Sequence, residues 1–374
     1  MTRALRVLHT GNLLNNSYKL AKFQRMAGLD ARLRLQSIQR GTGDDPAWED
    51  PELARGYPAW IEFEDVDSFA PRRKLKRLLD ILFRTVPLEE GIDVLHAQCT
   101  APIIGQFQAP DRLVSHCVGS DLRELAFERS LNGYLMRRAL RASRIVYFNN
   151  VDHAEYLDRL GINGEFLPNP MDLDRYRPQP VARKFPGRDF VVFHPVHIDW
   201  TYRGKKRSSL KANDRLIRAF ARFAKDNPKA LLVCLRYGVD IAATEALVAE
   251  LGIGDNVKFI ERLRKDALPE MMNGADLIAD QFHLGAMGGT AIEALACGRP
   301  LLTYLKTDLA ERCYGTPPPI FNACTEDEIY AALKAARNAD LKAAGEAGRA
   351  WAERYHDWRG VVAKVIGQYE EALA

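Results

Sequence analysis

The hydrophobic positions of this chain alternate between short continuous runs and helically spaced stretches. Residues 4–9 are aliphatic and β-branched, Thr10, Gly11 and Asn12 close the run, and residues 17–27 follow with apolar side chains at helical spacing. That order predicts a strand, a glycine turn and a helix. The unit recurs at residues 94–95, 113–114 and 144–148, each run with an amphipathic stretch nearby. Strands alternating with helices predict a parallel sheet with crossover helices. Residues 167–180 break the pattern with Pro168, Pro170, Pro178 and Pro180. X-Pro steps favour extended backbone and read as a linker. The alternation then restarts, with strands expected at 190–193, 230–235, 257–260, 277–278 and 300–304 and helices at 214–225, 242–251, 268–273 and 290–296. A last helix is expected over 358–373.

The fold class read from this pattern is α/β, two Rossmann-like domains facing each other across a cleft. A length of 374 residues exceeds what one core usually serves and suits two domains. The expected boundaries are residues 1–170, residues 171–356, and a C-terminal helix at 357–374 that can pack across either half, the first domain being one of the two. In open sheets of this kind ligands bind beyond the carboxyl ends of the strands.

Composition narrows the function classes. With 47% hydrophobic and 27% charged residues, disordered and collagen-like chains drop out. A net charge of +4 is too small over this length to argue for nucleic-acid binding. Six widely spaced cysteines contain no C-x-x-C pair, which fits buried thiols in a reducing compartment and excludes zinc-ribbon and thioredoxin motifs. No stretch approaches the roughly 18 apolar residues of a membrane span, so a cytoplasmic location is expected. The basic, apolar segment 71–84 has two readings. It is a candidate for peripheral contact with the anionic inner face of a membrane, or it packs its leucines into the N-terminal core.

The candidate chemistry centres on residues 281–294, where Gly285, Met287, Gly288, Gly289 and Thr290 lead into a helix carrying Glu293. Glycines admit a ligand close to the main chain, and a helix N-terminus favours phosphate through its free N–H groups and its dipole. One turn in, an ionised Glu293 can accept both hydroxyls of a vicinal diol such as ribose. A glycine-rich turn before a solvent-facing glutamate is the plain alternative.

Residues 291–302, AIEALACGRPLL, resemble the hallmark segment of family 4 glycosyltransferases of the GT-B fold, among the glycosyl transferases group 1. Further matches follow in order: Asp93-Val94-Leu95-His96 resembles the family's Asp-Val-Val-His strand, and Gly119-Ser120-Asp121 its turn after a histidine, here His116. Leu167-Pro168-Asn169-Pro170-Met171-Asp172 is similar to its Pro-Asn-Gly-Val-Asp linker, and Lys211-Ala212-Asn213-Asp214 to its Lys-Gly helix start. The resemblance implies sugar transfer from a nucleotide-sugar donor, with retention and without a metal or other cofactor. The acceptor domain would be the first, the donor domain the second, and the acceptor a sugar, a lipid-linked sugar or a small molecule. It further implies that Glu293 holds the ribose, that Lys211 and a basic partner neutralise the leaving diphosphate, and that His116, Asp121, Gly11, Asn12 and Asn169 line the cleft. Arg236, after a strand, is a candidate beside the base.

Two departures stand out. The family's first glutamate falls at Gly285, so a sugar contact is missing; another carboxylate substitutes, Asp280 being nearby, or backbone N–H groups hold the sugar, or catalysis is weakened. An insertion at 200–207 displaces the basic partner, whose role falls to Arg207 or His197. Arg207 is favoured, since a guanidinium stays charged and grips phosphate at two points. Asp65-Val66-Asp67 and Asp172-Leu173-Asp174 spell a metal-binding Asp-x-Asp but sit in polar surface and linker, and the pair His194 and His197 lacks a third ligand. A nucleotide-sugar-binding protein without transfer activity and a GT-B sugar-nucleotide epimerase are the alternatives to a transferase.

Overall fold

The computed structural model of the protein describes residues 4–36, 39–64, 90–182, 184–203 and 210–374. Arg207, Asp65, Asp67 and the segment 71–84 lie outside the described residues. The chain divides into two compact units, Met1–Pro170 with Trp358–Ala374, and Met171–Asp357.

The first unit is built on strands β1 (Arg6–Thr10), β2 (Asp30–Gln36), β3 (Ile61–Glu64), β4 (Val94–Gln98), β5 (Leu113–Cys117), β6 (Ile145–Phe148) and β7 (Glu165–Phe166). They form one parallel sheet in the order β3-β2-β1-β4-β5-β6-β7. Helices α1 (Asn16–Met26), α2 (Pro102–Gln108), α3 (Leu131–Ala142) and α4 (His153–Leu160) make the crossovers, and α12 (Trp358–Leu373) returns from the end of the chain. On one side of the sheet Val7, Leu33, Val94 and Tyr147 pack with Leu20 and Phe23 of α1 and Val362, Val365 and Tyr369 of α12. Phe23 stacks on Trp358 at 5.2 Å.

The second unit repeats the plan with β8 (Phe190–His194), β9 (Ala230–Arg236), β10 (Val257–Glu261), β11 (Leu277–Ala279), β12 (Leu301–Thr303) and β13 (Phe321–Asn322), parallel in the order β10-β9-β8-β11-β12-β13. Its helices are α5 (Asn213–Asp226), α6 (Ile241–Glu250), α7 (Leu268–Asn273), α8 (Gly289–Ala296), α9 (Thr307–Tyr314), α10 (Glu326–Asn338) and α11 (Leu341–His356). Strand β8 is buried along its whole length, as the unbroken apolar run of a parallel strand covered on both faces requires. In each sheet the strand order reverses once, between β1 and β4 and between β8 and β11. Such a switch point opens a crevice at the strand ends, where the two outgoing loops part.

Residues 167–180 are more than the extended linker their prolines suggest. Met171 bridges Asp357, its N–H donates to the His356 carbonyl at 2.8 Å, and Leu173 and Tyr176 are buried. Apolar side chains at 167, 171, 173 and 176 give the segment surface to bury. Among the described residues no helix is long and apolar enough to cross a membrane.

Candidate functional site

At the switch point of the second unit, β8 ends on His194 and β11 on Ala279, with Asp280 next. The His194 Nδ1–H donates to the Ala279 carbonyl at 2.8 Å, so Nε2 accepts from the Asn213 amide, also at 2.8 Å. Both ring nitrogens are engaged, and burial lowers the pKa to about 4. His194 is therefore a neutral tie between strand ends, and the pair His194 and His197 is not arranged to hold a metal. The Asn213 Oδ1 accepts the Asp199 N–H at 3.0 Å, and Ala212 turns the chain into α5 at φ +53°. Just before it, the Lys211 N–H donates to Asp199 at 2.7 Å while its carbonyl accepts the Phe282 N–H at 2.9 Å. Lys211 is thus fastened beside the loop that leaves β11.

That loop carries the glycine turn. Gln281 shapes it: its Nε2 donates to the Ala286 carbonyl at 2.6 Å, and its Oε1 accepts the N–H groups of His283 at 2.9 Å and Leu284 at 2.8 Å. Gly285 has φ +69°, and a Cβ there would stand 2.7 Å from Lys306 Cγ and 3.0 Å from Tyr304. No side chain fits without strain, so the family's first glutamate has no room at this position. Met287 is buried, whereas a Cβ on Gly288 or Gly289 would meet nothing within 4 Å. These two glycines border open space where α8 begins. The first N–H groups of α8, at 289–291, have no acceptor within the helix, and Gly289 and Thr290 are partly exposed where it begins.

Two buried carboxylates stand by this opening. Asp280 is held by the N–H groups of Gly288 and Gln281, and its Oδ2 has no partner. Burial raises its pKa to about 6, opposed by the charge of Lys211 and reinforced by that of Glu293. Glu293 pairs through Oε1 with Lys265, and its Oε2 also lacks a partner. A buried acceptor left unsatisfied is costly, and such groups mark places where a ligand completes the bonding. His197 is half buried, edge-on to Tyr237 at 4.8 Å, and burial lowers its pKa, with Asp199 opposing and Lys211 reinforcing.

In the first unit Gly11 closes β1 at φ +76°, where a Cβ would lie 2.4 Å from the Gln98 carbonyl at the end of β4. Asn12 is consumed by the fold: its amide donates to Asn15 and to the Asp44 carbonyl, and its Oδ1 accepts the Tyr18 N–H. Asp121 accepts the N–H groups of Gly119 at 2.6 Å and Val118 at 3.2 Å; burial raises its pKa and these bonds oppose the rise. Asn12 and Asp121 therefore shape turns, which their place in the sequence did not reveal. Asn169 accepts from Asn149 at 2.8 Å beyond β6.

His116 ends a buried polar chain. His9 pairs with Gln24 at 2.7 Å, Gln24 with the Tyr369 hydroxyl at 3.3 Å, Tyr369 with His96 Nδ1 at 2.5 Å, and His96 Nε2 with His116 Nδ1 at 3.1 Å. The Gln98 amide reaches the same Nδ1 at 3.2 Å. With Nδ1 filled as an acceptor, His116 is a neutral imidazole whose Nε2–H is an unpartnered donor, and burial lowers its pKa to about 3. It is built to donate a hydrogen bond rather than to take a proton.

The structure thus gathers Lys211, Asp280, Gly285, Met287, Gly288, Gly289, Thr290 and Glu293 around one switch point. Arg236 ends β9, the strand beside β8, where it pairs with Glu245 at 2.7 Å and faces Glu261 at 3.7 Å; Arg262 lies over Tyr237 at 3.9 Å. Gln98, Lys265 and Gln281 were missed by the sequence reading. Each is an ordinary polar residue whose role appears only when its partners are in place. A groove of about 600 Å³ between the start of β6 and α12 lies at the opposite, amino ends of the strands and holds none of these residues.

Residues 206–311 match the glycosyl transferases group 1 family. The D-inositol 3-phosphate glycosyltransferase of Saccharomonospora viridis is 29% identical over 222 residues, 54% of this chain and 49% of that protein. That of Rhodococcus opacus is 34% identical over 140 residues, 35% of this chain and 30% of that protein. The chain thus matches about half or less of the length of these curated relatives. Over the whole chain, Anabaena Alr3699/HepE in complex with UDP and glucose superposes with a TM-score of 0.71 at 17% identity, covering 98% of this chain and all of that one. Sucrose-phosphate synthase of Thermosynechococcus elongatus superposes with a TM-score of 0.70 at 16% identity, covering 98% and 99%. Residues 206–311, which hold the switch-point site, therefore carry a glycosyl transferases group 1 region, on a chain with the GT-B fold.

Proposed function

We propose that the chain is a family 4 glycosyltransferase that moves a sugar from a nucleotide-sugar donor to an acceptor, with retention and without a metal. The observation that carries this reading is the coincidence of the group 1 region with a switch point bearing an open helix N-terminus, Lys211 and the unsatisfied carboxylate of Glu293. In this reading the ribose diol binds Glu293, the N–H groups at 289–291 take the diphosphate, and Lys211 neutralises the charge that develops on the leaving group. Positioned donors and cations stabilise such charge without reorganising as it forms. The Nε2–H of His116 serves as a hydroxyl donor in the acceptor-binding first unit. Cytoplasmic residence follows from the cysteine pattern.

The solved neighbour with UDP and glucose makes UDP-hexoses the first donors to try, and the name of the curated relatives makes inositol phosphates the first acceptors. A nucleotide-release assay over UDP-, GDP- and ADP-sugars tests the reading. Turnover is expected with at least one donor, falling about a hundredfold in Lys211→Ala, the usual scale for removing one stabilising group. Nucleotide binding without release from any donor would instead support a nucleotide-sugar-binding protein.

A further inference from the structure

Polar side chains run in a buried row across the first sheet. His9 of β1 lies in register with His96 of β4, Gln98 at the end of β4 with His116 of β5, and His116 with Tyr147 of β6. All five are buried. Two tyrosine hydroxyls join α12 to this row: Tyr369 meets His96 Nδ1 at 2.5 Å, and Tyr147 donates to Gln368 Oε1 at 2.8 Å. Such a row is costly to bury unless its donors and acceptors match.

Burial lowers the pKa of His9 to about 4, of His96 well below its ordinary value and of His116 to about 3. Each ring is therefore neutral, with one nitrogen donating and the other accepting. That rule gives the chain a direction. Gln24 Oε1 accepts from His9 Nε2 at 2.7 Å, and its amide donates to the Tyr369 oxygen at 3.3 Å. The Tyr369 hydroxyl is left to donate to His96 Nδ1, and His96 Nε2–H then donates to His116 Nδ1 at 3.1 Å. Gln98 does not set this direction. Its amide also touches His116 Nδ1, at 3.2 Å, but its Oε1 is buried without a partner, so the turned amide would serve the other tautomer equally well. We infer that Tyr369 is a positioning residue, which fixes the tautomer of His116 through His96 and so keeps an Nε2–H donor at the carboxyl end of β5. Its effect on turnover rests on the sugar-transfer reading above, in which His116 donates to a hydroxyl; the tautomer itself does not.

Tyr369→Phe removes one hydroxyl and keeps the ring. Tyr147→Phe removes the other hydroxyl that joins α12 to the sheet, outside the chain of bonds to His116. Long-range proton–nitrogen correlation spectra of the full chain, labelled at histidine, read the tautomer of each ring, and loss of signals in His116→Gln assigns His116. Wild type and Tyr147→Phe should show His116 as the Nε2–H form. Tyr369→Phe should bring about a tenth or more of it to the Nδ1–H form, the scale of losing one neutral hydrogen bond. Gln24→Leu, which removes the donor that turns the Tyr369 hydroxyl, should act in the same direction and serves if Tyr369→Phe does not fold. In the nucleotide-release assay Tyr369→Phe should lose about tenfold, with Tyr147→Phe within about threefold of wild type. A wild-type His116 protonated at Nδ1, an unchanged tautomer in Tyr369→Phe, or an equal change in Tyr147→Phe overturns the inference. A shifted tautomer with unchanged turnover overturns its catalytic consequence. A wild type that releases no nucleotide overturns the sugar-transfer reading, and the spectra still decide the role of Tyr369.

Discussion

Asp280 carries a stability cost that its pH dependence exposes. Burial raises its pKa from the ordinary 3.8 to about 6, so the folded protein prefers the protonated acid. Stability associated with this group is complete below pH 3.8 and declines as pH rises through 6. The displacement amounts to about 3 kcal/mol at neutral pH. Asp280→Asn removes the ionisation, so its advantage in urea-induced unfolding over wild type should grow between pH 4 and 7.5. A difference that stays constant across that range would contradict the buried, ionised state. Sequence reading reached Glu293, Lys211 and His116 through their motifs, but Asp280 only as a nearby acid. Its significance depends on an oxygen left unpaired in three dimensions. Lys265, which pairs with Glu293 across 28 positions of the chain, gave no local signal.

Helix α8 and the turn before it form the element on which the site depends. Arg349 of α11 donates to the Ala296 carbonyl at 2.6 Å, placing a cation at the C-terminus of α8, where the helix dipole favours one. The turn is fixed by Gln281 and by the left-handed backbone at Gly285. Restoring the family's glutamate with Gly285→Glu should therefore lower stability by about 2 kcal/mol or more, through backbone strain and collision with Lys306 and Tyr304. Chemical denaturation measures it; unchanged stability with improved donor turnover would show that the turn accommodates a side chain. The position of α8 was legible from its apolar spacing, as were α5, α6, α7 and α12. Helix α11 was not, because Gly345 and Gly348 interrupt its middle. A Cβ on Gly345 would lie 2.1 Å from the Gly298 carbonyl, so the residue serves close packing at the end of the α8 segment.

Across the molecule, two successive sheets share the order in which the first strand lies between the second and the fourth; the alternation of apolar runs and amphipathic stretches made two parallel α/β halves readable, but not that order. Strands β2 and β3 escaped, since β2 carries Arg32 and Arg34 between its buried Ala31, Leu33 and Leu35 and looks charged rather than apolar. The two short strands β7 and β13 escaped for want of length. Both units offer their chemistry at the carboxyl ends of their strands, but the second holds the nucleotide in this account. The central claim is that Glu293 grips the ribose of a bound nucleotide. Calorimetric titration of wild type and Glu293→Ala with UDP, GDP and ADP tests it most directly. At least one nucleotide should bind wild type and lose about ten- to a hundredfold in affinity in the variant. Equal affinity in the two proteins, or no binding by wild type, would contradict it.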